Sequence, residues 1–501
     1  MTGVVSVVLV LLAAFNGLVL VYFVVLNTAY LLTSLIAFRD IRRYVERLKS
    51  LDLGELLSSE GIPPVTIIAP AYNEEPTCVE AAHSLLSLEY QRFEILFVND
   101  GSRDNTLSRM QEAFDLVPAA RLPTADLATK RIRKVYQSKR HPNLWVIDKE
   151  NGGKADALNS GVNLCVTPLF CAVDADSLLE RDALTRIVRP FLEDRRTIAA
   201  GGVIRIVNGC TVSEARVTEV RFPRNWWARF QVLEYLRSFL AGRMGWSVLD
   251  ATLIISGAFG VFRRETVVAA GGYASPQTSG ATVGEDMELV VRLHRYCREH
   301  KIPYRISFVP DPVAWTECPE TLRVLARQRD RWQRGMAESL MRHRRMLFNP
   351  RYGRIGWLAY PYFLFLETLG LLVEIVGYGA FVLTMALGLV SYLHAAAFLM
   401  AAFVFGMVLS IAAVGLEELG FRRYPRVSDL VRLFVVAAVE NFGYRQLISL
   451  WRLHGLISAL RGVQGWGEMT RKGFSPSGPR GPGSGQAPLD RSPSTRRTGD
   501  G

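Results

Sequence analysis

Cysteine and histidine are scarce in this chain of 501 residues, and their spacing excludes several kinds of site. The six cysteines are scattered without a CxxC pair, and only seven histidines are present. A structural zinc site needs paired cysteine or histidine ligands, and a disulfide framework is typical of short secreted chains. We therefore expect free, buried thiols in a reducing compartment. A nucleic-acid-binding motif is also missing, so we expect no nucleic-acid partner.

Acidic residues are in the minority, with 47 Asp and Glu against 59 Lys and Arg, and the formal net charge is +12. Several basic residues lie beside apolar segments, namely Arg39, Arg42, Arg43, Arg422, Arg423 and Arg426. Basic residues that flank membrane spans mark their cytoplasmic ends. We therefore expect membrane lipids as partners, a multi-pass protein of the cell membrane, and a cytoplasmic middle domain.

Charge is absent from residues 4–38. About 20 apolar residues span a bilayer, and no basic region precedes this run as it does in a signal peptide. We predict a transmembrane helix over residues 1–38, a cytoplasmic linker over 39–60 and two further transmembrane helices within 355–417. The second block contains or borders Glu367, Glu374, Glu417 and Glu418. Such carboxylates face a polar interior, either as interhelical hydrogen bonds or as the lining of a path for a hydrophilic product.

The last part of the chain has mixed character. Charged residues interrupt the apolar pattern of residues 428–460, which predicts a broken span or a helix in the membrane interface. The basic residues that follow favour the interface. Residues 474–501 are rich in Pro, Gly, Ser and Arg, which predicts a disordered tail.

Residues 61–346 show a different pattern, in which short apolar runs alternate with helical segments. The runs at 65–70, 93–98, 144–147 and 169–173 predict strands. Helices are predicted between them, for example at 78–88 and 155–163. Such alternation predicts a mostly parallel sheet with helices on both faces. Ligands bind such sheets beyond the carboxyl ends of the strands, and polar clusters follow three of these runs.

Several motifs in this domain indicate acid–base or metal chemistry. Asp174 and Asp176 end an apolar strand, where they either bind Mg²⁺ or Mn²⁺ or form a solvated turn. The NGGK sequence at 151–154 is not a Walker loop; it is either a phosphate-binding loop or a helix cap. Asp286, in the GED triplet, is either a helix cap or a general base. The glycine-rich segment 255–260 allows a chain-like substrate to approach the backbone.

The QRDRW sequence at 328–332 lies on a predicted helix rich in arginine. Arginine pairs bidentately with phosphate, and tryptophan presents a flat face to a sugar ring. An amphipathic helix on the membrane surface is the alternative interpretation, and both can hold for different residues of one helix.

The ordered set AYNEE, NDGS, NGGKADALN, DAD, GED and QRDRW, between residues 64 and 335, resembles the membrane-integrated processive family 2 glycosyltransferases. These are the cellulose, chitin, hyaluronan and poly-N-acetylglucosamine synthases. The resemblance implies an α/β GT-A (Rossmann-like) cytoplasmic catalytic domain joined to an α-helical transmembrane region. It also implies inverting transfer from a UDP-sugar to a growing β-linked polysaccharide with coupled export, and Mg²⁺ or Mn²⁺ as the cofactor.

The resemblance also implies roles for individual residues. Asp286 is the implied catalytic base, and Asp174 and Asp176 are the implied metal ligands, with Asp176 the more direct. Contacts with the UDP-sugar are implied for Ala71, Glu74, Asp100, Lys154, Asp174 and Glu285. Contacts with the diphosphate and the acceptor are implied for Gln328, Arg331 and Trp332. Gly284 stands where the family has the threonine of a TED triplet.

The sequence shows no cyclic-di-GMP-binding domain, which is unlike a standard cellulose synthase. The short membrane portion and Ser256-Gly257-Ala258 before the GED triplet favour the poly-N-acetylglucosamine and chitin-oligomer type. The donor stays open between UDP-N-acetylglucosamine and UDP-glucose, as does the participation of export subunits. Two other functions are alternatives: non-processive transfer of one sugar to a membrane lipid acceptor, and nucleotide-sugar sensing without catalysis. The length and lipid solubility of the product distinguish the first alternative from a polymer synthase.

Overall fold

The computed structural model describes residues 2–49, 61–424 and 426–463. The predicted tail at 474–501 and the second half of the predicted linker, residues 50–60, lie outside these residues. The first helix, α1 (Thr2–Lys49), continues through residues 39–49, for which we predicted the linker.

A ten-stranded mixed sheet forms the centre of the middle domain, with the strand order β3-β4-β5-β2-β1-β6-β11-β8-β12-β7. These strands are β1 (Val65–Ala71), β2 (Phe93–Asn99), β3 (Leu116–Pro118), β4 (Ile132–Ser138), β5 (Leu144–Lys149), β6 (Leu169–Val173), β7 (Ser177–Leu179), β8 (Thr197–Ile206), β11 (Phe259–Arg263) and β12 (Arg305–Thr316). A separate hairpin pairs β9 (Thr211–Ser213) with β10 (Arg216–Glu219).

The prediction of a mostly parallel sheet is correct for the centre of the sheet and for the pair of β8 with β12, and wrong for the other pairs. The four predicted strands β1, β2, β5 and β6 do form a parallel block. However, β11 is antiparallel to both β6 and β8, and β4 is antiparallel to β5. These added strands do not need the helical crossovers that join parallel neighbours, so the alternating pattern did not reveal them.

Helices cover both faces of the sheet, as predicted. Alternate strand residues enter two separate cores, so that Ile67 packs on one face and Ile68 on the other. Each buried side chain of this size stabilises the fold by about 1.5–3 kcal/mol. The helices of this domain are α2 (Cys78–Leu86), α3 (Thr106–Phe114), α4 (Lys154–Leu164), α5 (Ala183–Glu193), α6 (Trp226–Tyr235), α7 (Arg243–Val248), α8 (Arg264–Ala269), α9 (Glu285–Glu299) and α10 (Leu322–Arg342).

Three described helical segments are long and apolar enough to span a membrane: Val10–Leu48, Ile355–Ala386 and Tyr392–Gly420. The last two contain α11 (Gly370–Ala386), α12 (Tyr392–Leu399) and α13 (Phe405–Gly420).

The segment at 428–460 forms two helices, α14 (Val427–Val439) and α15 (Tyr444–Leu460). Helix α15 packs closely on α10, since a Cβ atom at Gly455 would lie 2.4 Å from the carbonyl oxygen of Asp330. The helix that carries the QRDRW motif is thereby joined to the segment that follows the third apolar helical segment.

Candidate active site

Asp100 follows β2, and its buried carboxylate accepts hydrogen bonds from four protein groups. Lys149 Nζ lies 2.7 Å from Oδ1, and the backbone N–H groups of Gly152 and Gly153 donate to Oδ1 and Oδ2 at 3.0 and 2.8 Å. The side-chain amide of Asn151 donates to Oδ2 at 3.2 Å. The amides of the NGG loop therefore bind a protein carboxylate.

Lys149 is fully buried between two carboxylates, and sequence analysis did not single it out. Its Nζ lies 2.7 Å from Asp100 Oδ1 and 2.5 Å from Asp156 Oδ2. A Cβ atom at Gly152 would lie 2.2 Å from Asp156 Oδ2, so the loop needs glycine there. One sequence feature could have indicated a buried partner for Lys149, namely Asp156, an acidic residue in the first turn of α4 within the NGGKADALN motif.

Ala71 and Glu74, the residues predicted to line a uridine pocket, lie beside Asp100 at the carboxyl edge of the sheet. The carbonyl oxygen of Ala71 accepts a hydrogen bond from the Asp100 N–H at 2.9 Å. The backbone N–H of Glu74 donates to Thr106 Oγ1 at 2.9 Å, and its carboxylate accepts from Thr77 at 2.8 Å. The loop after β1 is thus held against the start of α3.

Lys154 brings the DAD and GED motifs together. Its Nζ lies 2.6 Å from Asp174 Oδ1 and 3.2 Å from Glu285 Oε1. Burial alone would lower the pKa of Lys154, but Asp174 and Glu285 outweigh it and raise the pKa. Burial raises the pKa of Glu285, and the charge of Lys154 opposes that shift.

Asp286 lies in the first turn of α9 beside the glycine-rich segment. Its Oδ2 accepts a hydrogen bond from the Gly257 N–H at 3.2 Å, and its Oδ1 accepts from the Met287 N–H at 2.8 Å. A Cβ atom at Gly257 would lie 2.8 Å from Lys154 Nζ. The absence of a side chain at Gly257 therefore leaves space for the Lys154 side chain. Sequence analysis had considered only space for a substrate at this segment.

The QRDRW residues of α10 interact with one another and with α6. Gln328 Oε1 accepts a hydrogen bond from Arg329 Nη1 at 2.7 Å, and Arg329 Nη2 lies 2.6 Å from Glu234 Oε2. The Arg329 guanidinium lies 4.2 Å from the centroid of the Trp332 ring. Arg331 is partly buried; burial raises the pKa of Glu285, and the charges of Lys154 and, to a smaller extent, Arg331 oppose that rise. Sequence analysis missed the role of Arg329 as the buried partner of this set.

A cavity of about 400 Å³ is lined both by these motifs and by the membrane helices. Asp286 and Trp332 line one part of it, and Glu367 and Glu374 line another. Glu367 Oε2 also pairs with Arg452 of α15 at 3.1 Å. Glu367 therefore forms an interhelical ion pair and also lines the cavity, while a path for a hydrophilic product stays a prediction.

Comparison with known sequences agrees with this geometry. The family model described as Glycosyltransferase like family 2 matches residues 63–335, which is more than half of the chain. The chain belongs to this family. The match extends from the strand before the AYNEE motif to Gly335, just beyond QRDRW, so it includes every motif described above.

Relatives of this glycosyltransferase include two poly-β-1,6-N-acetyl-D-glucosamine synthases. The protein of Staphylococcus aureus (strain COL) is 28% identical over 64% of this chain and 66% of its own length. The protein of Staphylococcus epidermidis is 26% identical over 56% of each chain. The chain therefore aligns with less than two thirds of the length of either relative.

Among solved structures, the glycosyltransferase is similar to mannosyltransferase PcManGT from Pyrobaculum calidifontis in complex with GDP-Man and Mn²⁺. The TM-score is 0.50 at 19% identity, over 85% of this chain and 99% of that chain. Identity this low is informative about the fold alone. The predicted fold class, a GT-A domain joined to apolar membrane helices, is confirmed.

The DAD motif of this glycosyltransferase is an incomplete metal-binding set. In the described part of the chain, no group of three or more His, Cys, Asp or Glu residues is placed to hold a metal ion. Asp174 is partly exposed and Asp176 is buried at the end of β6. Two hard oxygen donors fit a divalent cation whose other ligands are diphosphate oxygens and water.

Proposed function

We propose that this family 2 glycosyltransferase transfers a sugar from a UDP-sugar to a growing β-linked polysaccharide at the cytoplasmic membrane face, processively and with coupled export. The cavity carries this proposal, since Asp286 and Trp332 line it together with Glu367 and Glu374 of the membrane helices. A polymer that grows at Asp286 would thus meet the carboxylates of Glu367 and Glu374 between those helices.

In the proposed reaction, Asp286 accepts the proton of an acceptor hydroxyl. The hydroxyl oxygen forms a bond to the anomeric carbon of the donor sugar, and the bond from that carbon to the β-phosphate oxygen breaks. UDP leaves with the electron pair, and the single displacement inverts the anomeric carbon. The hydrogen bond from the Gly257 N–H supports this role, because it orients the Asp286 carboxylate beside the cavity.

On the donor side, Asp174 and Asp176 would hold a divalent cation, which neutralises charge on the diphosphate when it is bound. Lys154 and Arg331 would add positive charge for the same group, and Glu285 would orient Lys154. We assign Asp100 the positioning of the NGG loop, because four protein donors already occupy its carboxylate.

The remaining assignments complete this proposal. Ala71 and Glu74 would line the uridine pocket, while Gln328 would hold Arg329 and Trp332 would pack against the acceptor sugar. The names of the staphylococcal relatives support UDP-N-acetylglucosamine over UDP-glucose as the donor. The basic residues at the end of the first apolar segment, Arg39, Arg42 and Arg43, support a cytoplasmic catalytic domain.

The test is UDP release by the detergent-purified full chain with a panel of UDP-sugars and Mg²⁺ or Mn²⁺, with product size measured in the same samples. We expect release with UDP-N-acetylglucosamine, a long glycosidase-sensitive product, and loss of both on chelation with EDTA. A short, lipid-extractable product would instead support transfer of a single sugar to a lipid.

A matched pair of variants tests the base. Asp286→Asn should lower the rate of UDP release by about 10²- to 10⁴-fold, the usual contribution of a general base. Asp115→Asn changes an exposed aspartate that does not line the cavity and should leave the rate unchanged. Normal UDP release by Asp286→Asn would remove Asp286 from the mechanism.

A further inference from the structure

Two arginines of the cavity stack on neighbouring aromatic rings. The Arg329 guanidinium lies 4.2 Å from the Trp332 ring centroid, and the Arg243 guanidinium lies 4.0 Å from that of Phe239. The two rings are edge to face, with their centroids 5.9 Å apart, so the arginines belong to one aromatic group. The charge of Arg329 is matched by Glu234 at 2.6 Å.

Arg243 has no comparable charge partner. Among the described residues, no carboxylate forms an ion pair with Arg243, and its buried Nη1 atom has no hydrogen-bond partner. Burial lowers the pKa of Arg243 to about 10, although the negative charge of Asp286 opposes the shift. Buried polar groups in folded proteins nearly always have partners, and a buried charge without them is costly. A bound ligand would supply the missing acceptors.

The backbone around Arg243 is held in place. Arg243 begins α7, and a Cβ atom at Gly245 in the same helix would lie 2.6 Å from the carbonyl oxygen of Thr33 in α1. This close packing leaves little freedom to move α7 away from the membrane helix. The side chain of Arg243 therefore starts from a fixed backbone position in the wall of the cavity.

The side chains that share the cavity with Arg243 indicate which substrate it meets. Asp286 and Trp332 line the cavity, whereas Asp174 and Asp176 are not among its described lining residues. The cavity thus lies on the acceptor side of the proposed base, away from the residues assigned to the diphosphate. Hydroxyl and amide carbonyl oxygens of a neutral saccharide are suitable acceptors for a guanidinium.

We propose that Arg243 binds oxygen atoms of the acceptor saccharide and holds its nucleophilic hydroxyl towards Asp286. This inference rests on the proposed function, because it assigns an acceptor-binding residue to the same site. Arg243 and Arg329 then differ in their roles: Arg329 is neutralised within the protein by Glu234. The Arg243 guanidinium obtains its hydrogen-bond acceptors from the substrate.

The first test compares Arg243→Met and Arg243→Lys in the full-length protein, with a β-1,6-linked N-acetylglucosamine pentamer as the acceptor. We expect the Met variant to raise the KM for the pentamer roughly 10- to 100-fold, as loss of a charged hydrogen bond does, and the Lys variant to raise it less. The KM for the UDP-sugar should change by less than about twofold. An unchanged pentamer KM, or an equal rise in the KM for the UDP-sugar, would overturn the inference.

Arg229→Met is the matched control. Arg229 also stacks on an aromatic ring, 4.8 Å from the Trp226 centroid, but it does not line the cavity. This variant should leave the pentamer KM unchanged. If Arg243→Met does not fold, Arg243→Lys carries the test, because it keeps the charge and loses the planar donor fork.

Binding of the pentamer without UDP-sugar separates this inference from the proposed function. Tryptophan fluorescence is a suitable signal, because Trp332 lies within the same aromatic group. Binding that depends on Arg243 in a protein that transfers no sugar would support the inference and contradict the proposed function. Active transfer with pentamer binding that does not depend on Arg243 would contradict the inference alone.

Discussion

A Cβ atom at Gly284 would lie 2.7 Å from the Cα atom of Gly335, and a Cβ atom at Gly335 would lie equally close to Gly284. The backbone of the GED turn therefore touches the backbone of α10 just beyond the QRDRW motif. This contact sets the position of Asp286 relative to Trp332. It also explains why glycine is suitable where the family has threonine.

Gly284→Ala should lower kcat for UDP release by about tenfold or more. The added methyl group must separate two backbones, and a displacement of about 1 Å at a catalytic group can cost about 10²-fold in rate. The measurement is kcat together with the melting temperature. Gly415→Ala is the control, because nothing lies within 4 Å of a Cβ atom there. Wild-type kcat in Gly284→Ala would show that the contact does not constrain the site.

Lys149→Met should destabilise the catalytic domain by about 3–5 kcal/mol, because it leaves the carboxylates of Asp100 and Asp156 buried without their shared cation. The NGG loop should loosen as well, which would raise the KM for the UDP-sugar. Thermal unfolding and donor kinetics measure the two effects. Lys134→Met removes an exposed lysine from the neighbouring strand β4 and should change neither.

Arg205 of β8 and Glu417 of α13 form a buried ion pair, 2.6 Å apart, that joins the catalytic domain to a membrane helix. Arg205→Met alone should cost about 3–5 kcal/mol, because it leaves a buried carboxylate unpaired. The double variant Arg205→Met, Glu417→Leu should recover most of this loss, as judged by melting temperature. Glu418→Gln alters an exposed pair with Arg422 and should have little effect. A double variant as unstable as Arg205→Met would contradict this account.

His294 should make stability depend on pH. Its buried ring bonds the Thr252 carbonyl oxygen and the Tyr304 hydroxyl, at 2.8 and 2.9 Å. Burial lowers its pKa from the ordinary value of 6.5 to about 4. Stability from the neutral ring is therefore fully present above pH 6.5 and is lost as the pH falls towards 4.

Between pH 7 and pH 5 this residue should account for a loss of about 2 kcal/mol. Melting temperatures at the two pH values should show a smaller pH effect for His294→Asn than for the wild type. His300→Asn, at an exposed position near the end of the same helix, is the control and should keep the wild-type pH effect. Equal pH effects in His294→Asn and the wild type would contradict the prediction.

The sequence predicted the parallel centre of the sheet but not the strands beside it. Strands β1, β2, β5 and β6 are short apolar runs bounded by polar turns, which is a local signal. Strand β8 contains two adjacent glycines, which weaken that signal. The structure explains why one of these residues is glycine, because a Cβ atom at Gly202 would lie 2.4 Å from the ring of Phe259 on the neighbouring strand β11. Strand β8 was therefore not predicted, because its contact with β11, which is far away in sequence, requires glycine where a strand pattern would have an apolar side chain.

The site was predicted as a set of motifs, without the contacts among them. Asp286, Lys154 and Trp332 stood out because their residue types and local spacing suggest chemistry. Lys149 and Arg329 did not stand out, because in a sequence a buried lysine or arginine cannot be distinguished from a solvated one. Their carboxylate partners are seen only in the structure. Arg243 was missed for the opposite reason, since the absence of a partner can be seen only in the folded chain.

The sequence by itself determined the apolar helices, the order of the motifs and the chemistry that those motifs can perform. These are properties of short stretches, because the length of an apolar run and the type of a side chain do not depend on distant residues. Only the tertiary structure decided which motifs meet: Lys154 between the DAD and GED motifs, Gly284 against Gly335, and one cavity shared by Asp286 and the membrane helices. Such distances depend on how the sheet, α10 and the membrane helices pack, and packing joins residues that are far apart along the chain.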